Sequence, residues 1–251
     1  MGKTIRRLRM LGALAAATAL TLAAAPTAVA AGPAPGATFT CEASDIPSGT
    51  YGSLTVAGPC GVEDGASIVV TGSVTVMSGA MLNVEDAASF TVGKNVTAME
   101  HSLLLLGDDL SSAIVSVAGN VAATDAVSLL INNASIGGNV TLRGGGNDLT
   151  GGAALPWAVA HSTISGNLTV SGQSTTYLAV VDNAVHGNVT LSDITVLNEG
   201  GFVTVAGNVV ARNLSCTGIA PAVSSDDPGT SAPDPNTVGR NAIGQCAGLT
   251  S

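Results

Sequence analysis

Two acidic pairs recur at one spacing in this chain of 251 residues. Val62-Glu63-Asp64-Gly65-Ala66-Ser67 runs on to Val74, and Val84-Glu85-Asp86-Ala87-Ala88-Ser89 runs on to Val96. Glu63 precedes Val74 by the same interval that separates Glu85 from Val96, and Asp64 and Asp86 repeat the match one position later. If the chain coils with that period, the carboxylates stack about 5 Å apart and repel one another. A Ca²⁺ ion, with oxygen ligands at about 2.3–2.6 Å, would relieve the repulsion. Asp108 and Asp109 precede Val121 by a slightly longer interval, so one or two extra residues bring them onto the same ladder. Glu63, Asp64, Glu85, Asp86, Asp108 and Asp109 are therefore the candidate metal ligands. The competing reading is a solvated acidic corner that discourages unwanted association.

Catalytic chemistry is harder to assemble. Hydrolysis of a glycosidic bond needs two carboxylates about 5–10 Å apart, and polysaccharide lyases typically combine acidic calcium ligands with an Arg or Lys base. Asp125 and Asp193 each lie four residues after an apolar repeat position, but three repeats separate them, roughly 14 Å by strand spacing. Arg143 and Arg212 share another register at the same separation. His101, His161 and His186 fall at different registers with no matching partner, and the single Trp offers little platform for sugar rings. The chain has no Gly-x-Ser-x-Gly phrase, phosphate loop or redox Cys pair. No catalytic residue and no organic cofactor are assigned.

The spacing of these groups is set by a repeat. A β-branched residue, any residue, Gly, Asn or Ser, Val or Leu, and usually Thr recur as YGSLTV, VTGSVTV, VGKNVTA, VAGNVAA, IGGNVTL, ISGNLTV, VHGNVTL and VAGNVVA. Their core residues are Leu54, Val74, Val96, Val121, Val140, Leu168, Val189 and Val209, at uneven steps that average about 22 residues. Val56, Val76, Ala98, Ala123, Leu142, Val170, Leu191 and Ala211 follow two residues on, and six threonines lie between. Alternation with period two means a strand with one buried face. Before each glycine runs a further apolar ladder, Val70, Val92, Val117, Ile136, Ile164, Val185 and Val205. The Gly-Asn or Gly-Ser pair between ladder and strand suits a sharp corner, because Gly, and to a lesser degree Asn, accepts positive φ.

A unit of about 22 residues with several short strands and no helical periodicity predicts an all-β, right-handed parallel β-helix solenoid of about eight coils. At about 4.8 Å per rung it makes a rod on the order of 40 Å long. An antiparallel sandwich or a propeller would call for hairpin turns or larger, aromatic-marked repeats. The threonine column, with Asn120, Asn139, Asn167, Asn188 and Asn208 beside it, fits cross-rung packing and stacked amides. A flat array of this kind is also suited to ordering water or hydrogen-bonding a glycan. Six Asn-x-Ser/Thr matches, at Asn95, Asn133, Asn139, Asn167, Asn188 and Asn213, largely follow from the repeat. Two stretches break the rhythm: the glycine-rich run 143–152 around Asp148, followed by Pro156-Trp157, and the Pro-, Ser- and Asp-rich run 221–236. Both read as exposed loops.

Residues 1–30 carry Lys3, Arg6, Arg7 and Arg9, an apolar run from Met10 to Ala25, and Ala28-Val29-Ala30. That is the pattern of a secretory signal peptide, and the run is shorter than the roughly 20 residues of a membrane anchor. Residues 31–39 read as a disordered linker and 40–251 as the solenoid domain. The mature chain keeps Lys94, Arg143, Arg212 and Arg240 against 17 acidic residues, a net charge of −13. Nucleic acid is excluded as a partner by that balance. Four cysteines in a secreted chain favour two disulfides. Of the three possible pairings we expect Cys41 with Cys60 and Cys216 with Cys246, each stapling one end.

The opening phrase Ile46, Gly49, Tyr51, Leu54, Val56, Gly58 and Cys60, the Gly-Asn-Val-Thr coils, and the closing Val238, Gly239, Gly244, Gln245 and Cys246 together carry a family likeness over residues 40–250. The chain resembles secreted right-handed β-helix proteins of actinobacterial type, with a more distant similarity to bactofilins, which polymerise end to end. The resemblance implies an architecture rather than an activity. We therefore expect a secreted, non-catalytic rod, extracellular or associated with the cell wall, with no membrane anchor after processing. Its expected partners are a cell-surface glycan or protein, or a second copy added end to end. The alternative is a carbohydrate-active enzyme, a lyase or hydrolase, acting near Asp148, Trp157 and the acidic coils.

Overall fold

Short apolar-alternating segments separated by small or polar corner residues cannot bury a face alone, so each stacks on the next. A computed structural model describes residues 36–108, 114–146, 157–226 and 232–251 of the protein. The expected signal peptide, most of the 31–39 linker, Asp109 and the Asp148 loop lie outside these residues. The described residues form an all-β parallel solenoid whose coils each contribute to three sheets.

Sheet 1 runs from Thr38–Cys41 through Ser53–Val56, Val74–Val76 and their successors to Ala242–Gly244, ten strands along its main path. Sheet 2 runs from Asp45–Ile46 to Val223–Ser224 and sheet 3 from Gly49–Tyr51 to Thr237–Val238, with nine strands each. Sheet 1 thus has more rungs than the eight repeat phrases, because Thr38–Cys41, Leu214–Ala220 and Ala242–Gly244 pair in it without carrying a phrase. The first strand starts at Thr38, two residues before the expected domain start, since Thr38–Cys41 pairs in register with Ser53–Val56.

Register matches the repeat for seven phrases. Leu54, Val74, Val96, Val121, Val140, Leu168 and Val189 lie opposite one another in sequence, all buried. The eighth phrase is a correction. Val189 pairs with Leu214, whereas Val209 stands in sheet 3 between Ala184 and Thr237, 56% exposed, with Ala211 also exposed. Val205 belongs to sheet 2 opposite Val180, and Val210 continues the sheet 3 ladder after Val185. Gly207-Asn208-Val209 mimics the phrase one sheet out of phase. The true corner, Arg212-Asn213-Leu214, hides itself by carrying Arg where most other coils have Gly.

The Gly-Asn corner also works differently from the expectation. Gly119, Gly138, Gly166 and Gly187 are absent from the residues with positive φ. They are glycine because the coil beneath comes too close: a Cβ on Gly138 would sit 2.4 Å from the Asn120 Oδ1 and 2.8 Å from the Gly119 carbonyl. Positive φ occurs at the other corners, at His101, Asp125, Gly144, Gly172, Asp193 and Gly218 after sheet 1, and at Gly107, Asn133, His161, Asp182 and Gly207 after sheet 2. The non-glycine residues there are Asp, Asn and His, the types that enter this region with least strain.

The interior is one continuous aliphatic column with few large residues, among them Phe90 and Trp157. The sequence places Trp157 beside an exposed loop, but its side chain belongs to the core. It is 1% exposed, and its indole N–H donates to the Val127 carbonyl at 3.0 Å. Both expected disulfides are present, Cys41–Cys60 and Cys216–Cys246, with Cα separations of 6.3 and 5.1 Å and all four sulfurs inside the coil. At the C-terminal end Leu249 packs over the last coil, and Asn236 bonds the Leu249 carbonyl through both its backbone N–H and its side-chain amide.

Candidate functional site

Three corner or face arrays concentrate the polar chemistry, and the coil places each. The first is the acidic ladder. The Gly65 N–H donates to the Asp86 carbonyl, which sets Asp64 opposite Asp86, and the pairing of Met81–Asn83 with Leu103–Leu105 extends the column to Asp108. In this backbone register Glu63 falls opposite Glu85 and Asp64 opposite Asp86. Among the described residues no group of three or more His, Cys, Asp or Glu side chains converges to hold a metal. The Glu85 carboxylate accepts instead from the Asn83 amide at 3.0 Å, while the Glu85 backbone N–H donates to the Asn83 Oδ1 at 2.8 Å. This turn satisfies itself, and Glu63, Asp64 and Asp86 are exposed to solvent.

Further along the same corner, His161 gains partners that its sequence register concealed. Its Nδ1 lies 3.1 Å from the Asn132 Oδ1 and its Nε2 lies 3.4 Å from the Asp182 Oδ2, bridging one coil below and one above. His161 and Asp182 are both about half exposed, so their contact is a surface tether worth at most about 1 kcal/mol.

The second array is a groove where sheet 1 turns toward sheet 2. Glu100, His101 and Asp125 line a cavity of about 390 Å³ floored by Gly144, Gly145 and Gly172. A contiguous cavity of about 320 Å³ adds Ser78, Thr97 and Thr124. The His101 N–H donates to the Asp125 carbonyl at 2.8 Å, so the imidazole and the two carboxylates occupy neighbouring rungs. Sequence reasoning missed this grouping because it aligned Asp125 with the distant Asp193. A partial signal lay in the positive φ that follows most sheet 1 strands, which only Gly, Asp, Asn or His fills cheaply. All three side chains are exposed.

The third array is the outer face of sheet 1. One outward column reads Thr40, Thr55, Thr75, Thr97, Ala122, Thr141, Thr169, Thr190, Ser215 and Ile243. Eight of these ten carry a hydroxyl and none carries a charge. Beside it Asn95, Asn120, Asn139, Asn167, Asn188, Asn213 and Asn241 form an unbroken ladder, each Oδ1 accepting from the backbone N–H of the next at 2.8–3.3 Å. Asn208, expected in this ladder, stands in a second one. Asn183, Asn208 and Asn236 are buried at the sheet 2–sheet 3 corner, linked Oδ1 to N–H at 3.0 and 3.1 Å.

Comparison with protein-family models, with curated proteins and with solved structures gives no match. No helix among the described residues is long and apolar enough to cross a membrane.

Proposed function

We propose that the protein is a secreted, non-catalytic β-solenoid that works outside the cell as a rigid rod binding neutral polysaccharide. The observation that carries this reading is the uncharged column of sheet 1, which bears a hydroxyl on eight of its ten rungs on a backbone fixed by the asparagine ladder. Hydroxyls at a regular spacing of about 4.8 Å suit a polymer that offers hydroxyls of its own at regular intervals. The net charge of the whole chain is negative, which works against uronates and phosphates at long range. Two interior disulfides suit an oxidising, extracellular setting. The C-terminal covering by Leu249 favours a solitary rod over end-to-end filaments.

The test is co-sedimentation of the mature protein with insoluble neutral polysaccharides, alongside a Thr141→Arg, Thr169→Arg double variant. Retention of the native chain and loss in the variant support the face as the binding surface. Equal retention of both chains, or of neither, overturns it.

One observation favours a second reading, that of a carbohydrate-active enzyme: the convergence of Glu100, His101 and Asp125 in one groove. Its site would be this groove, whose Gly144 and Gly145 open the glycine-rich run that leads to Asp148, while Trp157 itself is committed to the core.

A further inference from the structure

Sheet 1 shares its surface chemistry with a second face of the rod. In sheet 3, exposed or half-buried residues alternate with fully buried ones along each strand, so the outward positions fall into one column. That column carries a hydroxyl at Thr50, Thr91, Ser116, Ser135, Thr163 and Thr237, six of nine rungs, and Val or Ala on the others. Four of the six, from Thr91 to Thr163, stand on consecutive rungs. Ser135 and Thr163 are exposed and share their coils with Thr141 and Thr169 of the sheet 1 column. Each of these coils presents one hydroxyl on either side of its Gly-Asn corner.

Charge sorts around the coil in the same way. Every acidic residue among the described ones lies on the stretch that leaves sheet 1, crosses sheet 2 and enters sheet 3. Asp193 belongs there too, as the left-handed corner residue after Val189–Ser192. Among the described residues, neither outward column nor the corner between sheets 3 and 1 carries a carboxylate. That corner holds Lys94, Arg212 and Arg240 instead. The two columns are therefore separate tracks, divided by an edge whose charges are positive.

We propose that the rod is bivalent: sheet 1 seats it on one neutral polysaccharide chain and sheet 3 takes a second, so that the protein cross-links the polymer. The inference rests on the sheet 1 reading above. Hydroxyls at the same rung spacing of about 4.8 Å, again without a charge, suit the same partner. A polyanion is the poorer occupant, since Lys94 stands five rungs, roughly 24 Å, from Arg212. That is about three Debye lengths at physiological ionic strength, too far apart for the two cations to act together. The sheet 3 column is interrupted at Val69, Ala184 and Val209 and is the weaker of the two. It acts once sheet 1 has placed the rod among polymer chains at high local concentration.

The experiment is light scattering from dilute galactomannan, arabinoxylan and dextran titrated with the mature, disulfide-intact protein, run beside the co-sedimentation assay. With at least one polymer, scattering rises to a maximum and falls again in excess protein, because surplus rods then occupy chains singly. A Ser135→Arg, Thr163→Arg double variant loses the rise, while its retention on insoluble polysaccharide and its Tm stay those of the native chain and show that it is folded. The Thr141→Arg, Thr169→Arg variant loses both. No rise with any polymer from a protein that is retained, or an undiminished rise with the sheet 3 variant, overturns bivalency and leaves the sheet 1 reading standing. Failure of the native chain to be retained at all overturns the sheet 1 reading and this inference with it. The protein alone runs as a monomer; a dimer that the sheet 3 substitutions split would place a second copy on that face and overturn the inference.

Discussion

The Oδ1 of Asn139 accepts two hydrogen bonds from Asn167, one from its backbone N–H at 2.8 Å and one from its side-chain amide at 3.1 Å, across 28 residues of sequence and a single rung. The same two-point contact recurs down the corner and fixes the spacing of the face beside it. The buried ladder is built alike, but there the Asn208 amide donates to the Val180 and Ala206 carbonyls, which have no water to fall back on. The two ladders should therefore differ in cost. Asn139→Ala loses about 0.5–1.5 kcal/mol, because the freed N–H reaches solvent, whereas Asn208→Ala loses about 1–3 kcal/mol for each buried group left unpaired. Urea denaturation of both variants checks the order, and an equal loss would contradict it.

Gln173 supplies the opposite case. It occupies the inward position that Ala126 and Ile194 fill in other coils, it is 1% exposed, and neither its amide oxygen nor its nitrogen finds a partner among the described residues. Gln173→Leu keeps the volume and removes the unsatisfied group, so it stabilises the protein by about 1–3 kcal/mol. A lower Tm in the variant would show that a buried water or another partner satisfies the amide.

These two residues mark the limit of what the sequence discloses. Period-two alternation and the Gly-Asn phrase made the coil and seven registers legible, because both depend on residues at fixed offsets, and the two disulfides followed from the preference for a staple at each end. The frame shift at Val209 was not legible, since Gly207-Asn208 serves one corner with the same letters that serve another. Nor was the groove at Glu100, His101 and Asp125. Asparagines that touch across one rung are separated by as few as 19 residues, for Asn120 and Asn139, and by as many as 28, for Asn139 and Asn167. With coils that uneven, only the three-dimensional register brings the groove's side chains together.

Tyr51 gives a dependence on pH. Burial, and then the negative charge of Glu63, raise its phenol above the ordinary value of 10.0, while its hydroxyl donates to the Pro47 carbonyl at 2.6 Å. The folded chain holds this proton where the unfolded chain releases it, so stability declines as pH rises above 10.0. Burial raises Tyr177 in the same direction. Thermal melts across that range should show a fall in Tm that is smaller in Tyr51→Phe. An identical fall in both chains would remove Tyr51 as its source.

Calcium should leave stability unchanged. The acidic residues share a backbone register, but among the described residues no three His, Cys, Asp or Glu side chains converge on one point, and the Glu85 carboxylate accepts from the Asn83 amide. A rise in Tm on adding Ca²⁺ that disappears when Glu63, Asp64, Glu85 and Asp86 become Gln or Asn would show that the corner closes around the ion.

The most direct measurement is product analysis after long incubation of the mature protein with the neutral polysaccharide it retains, run beside Glu100→Gln and Asp125→Asn. We predict retention with no new reducing ends and no unsaturated ends from any of the three chains. Chain scission by the native protein that either substitution abolishes would contradict the account and make the groove at Glu100, His101 and Asp125 an active site.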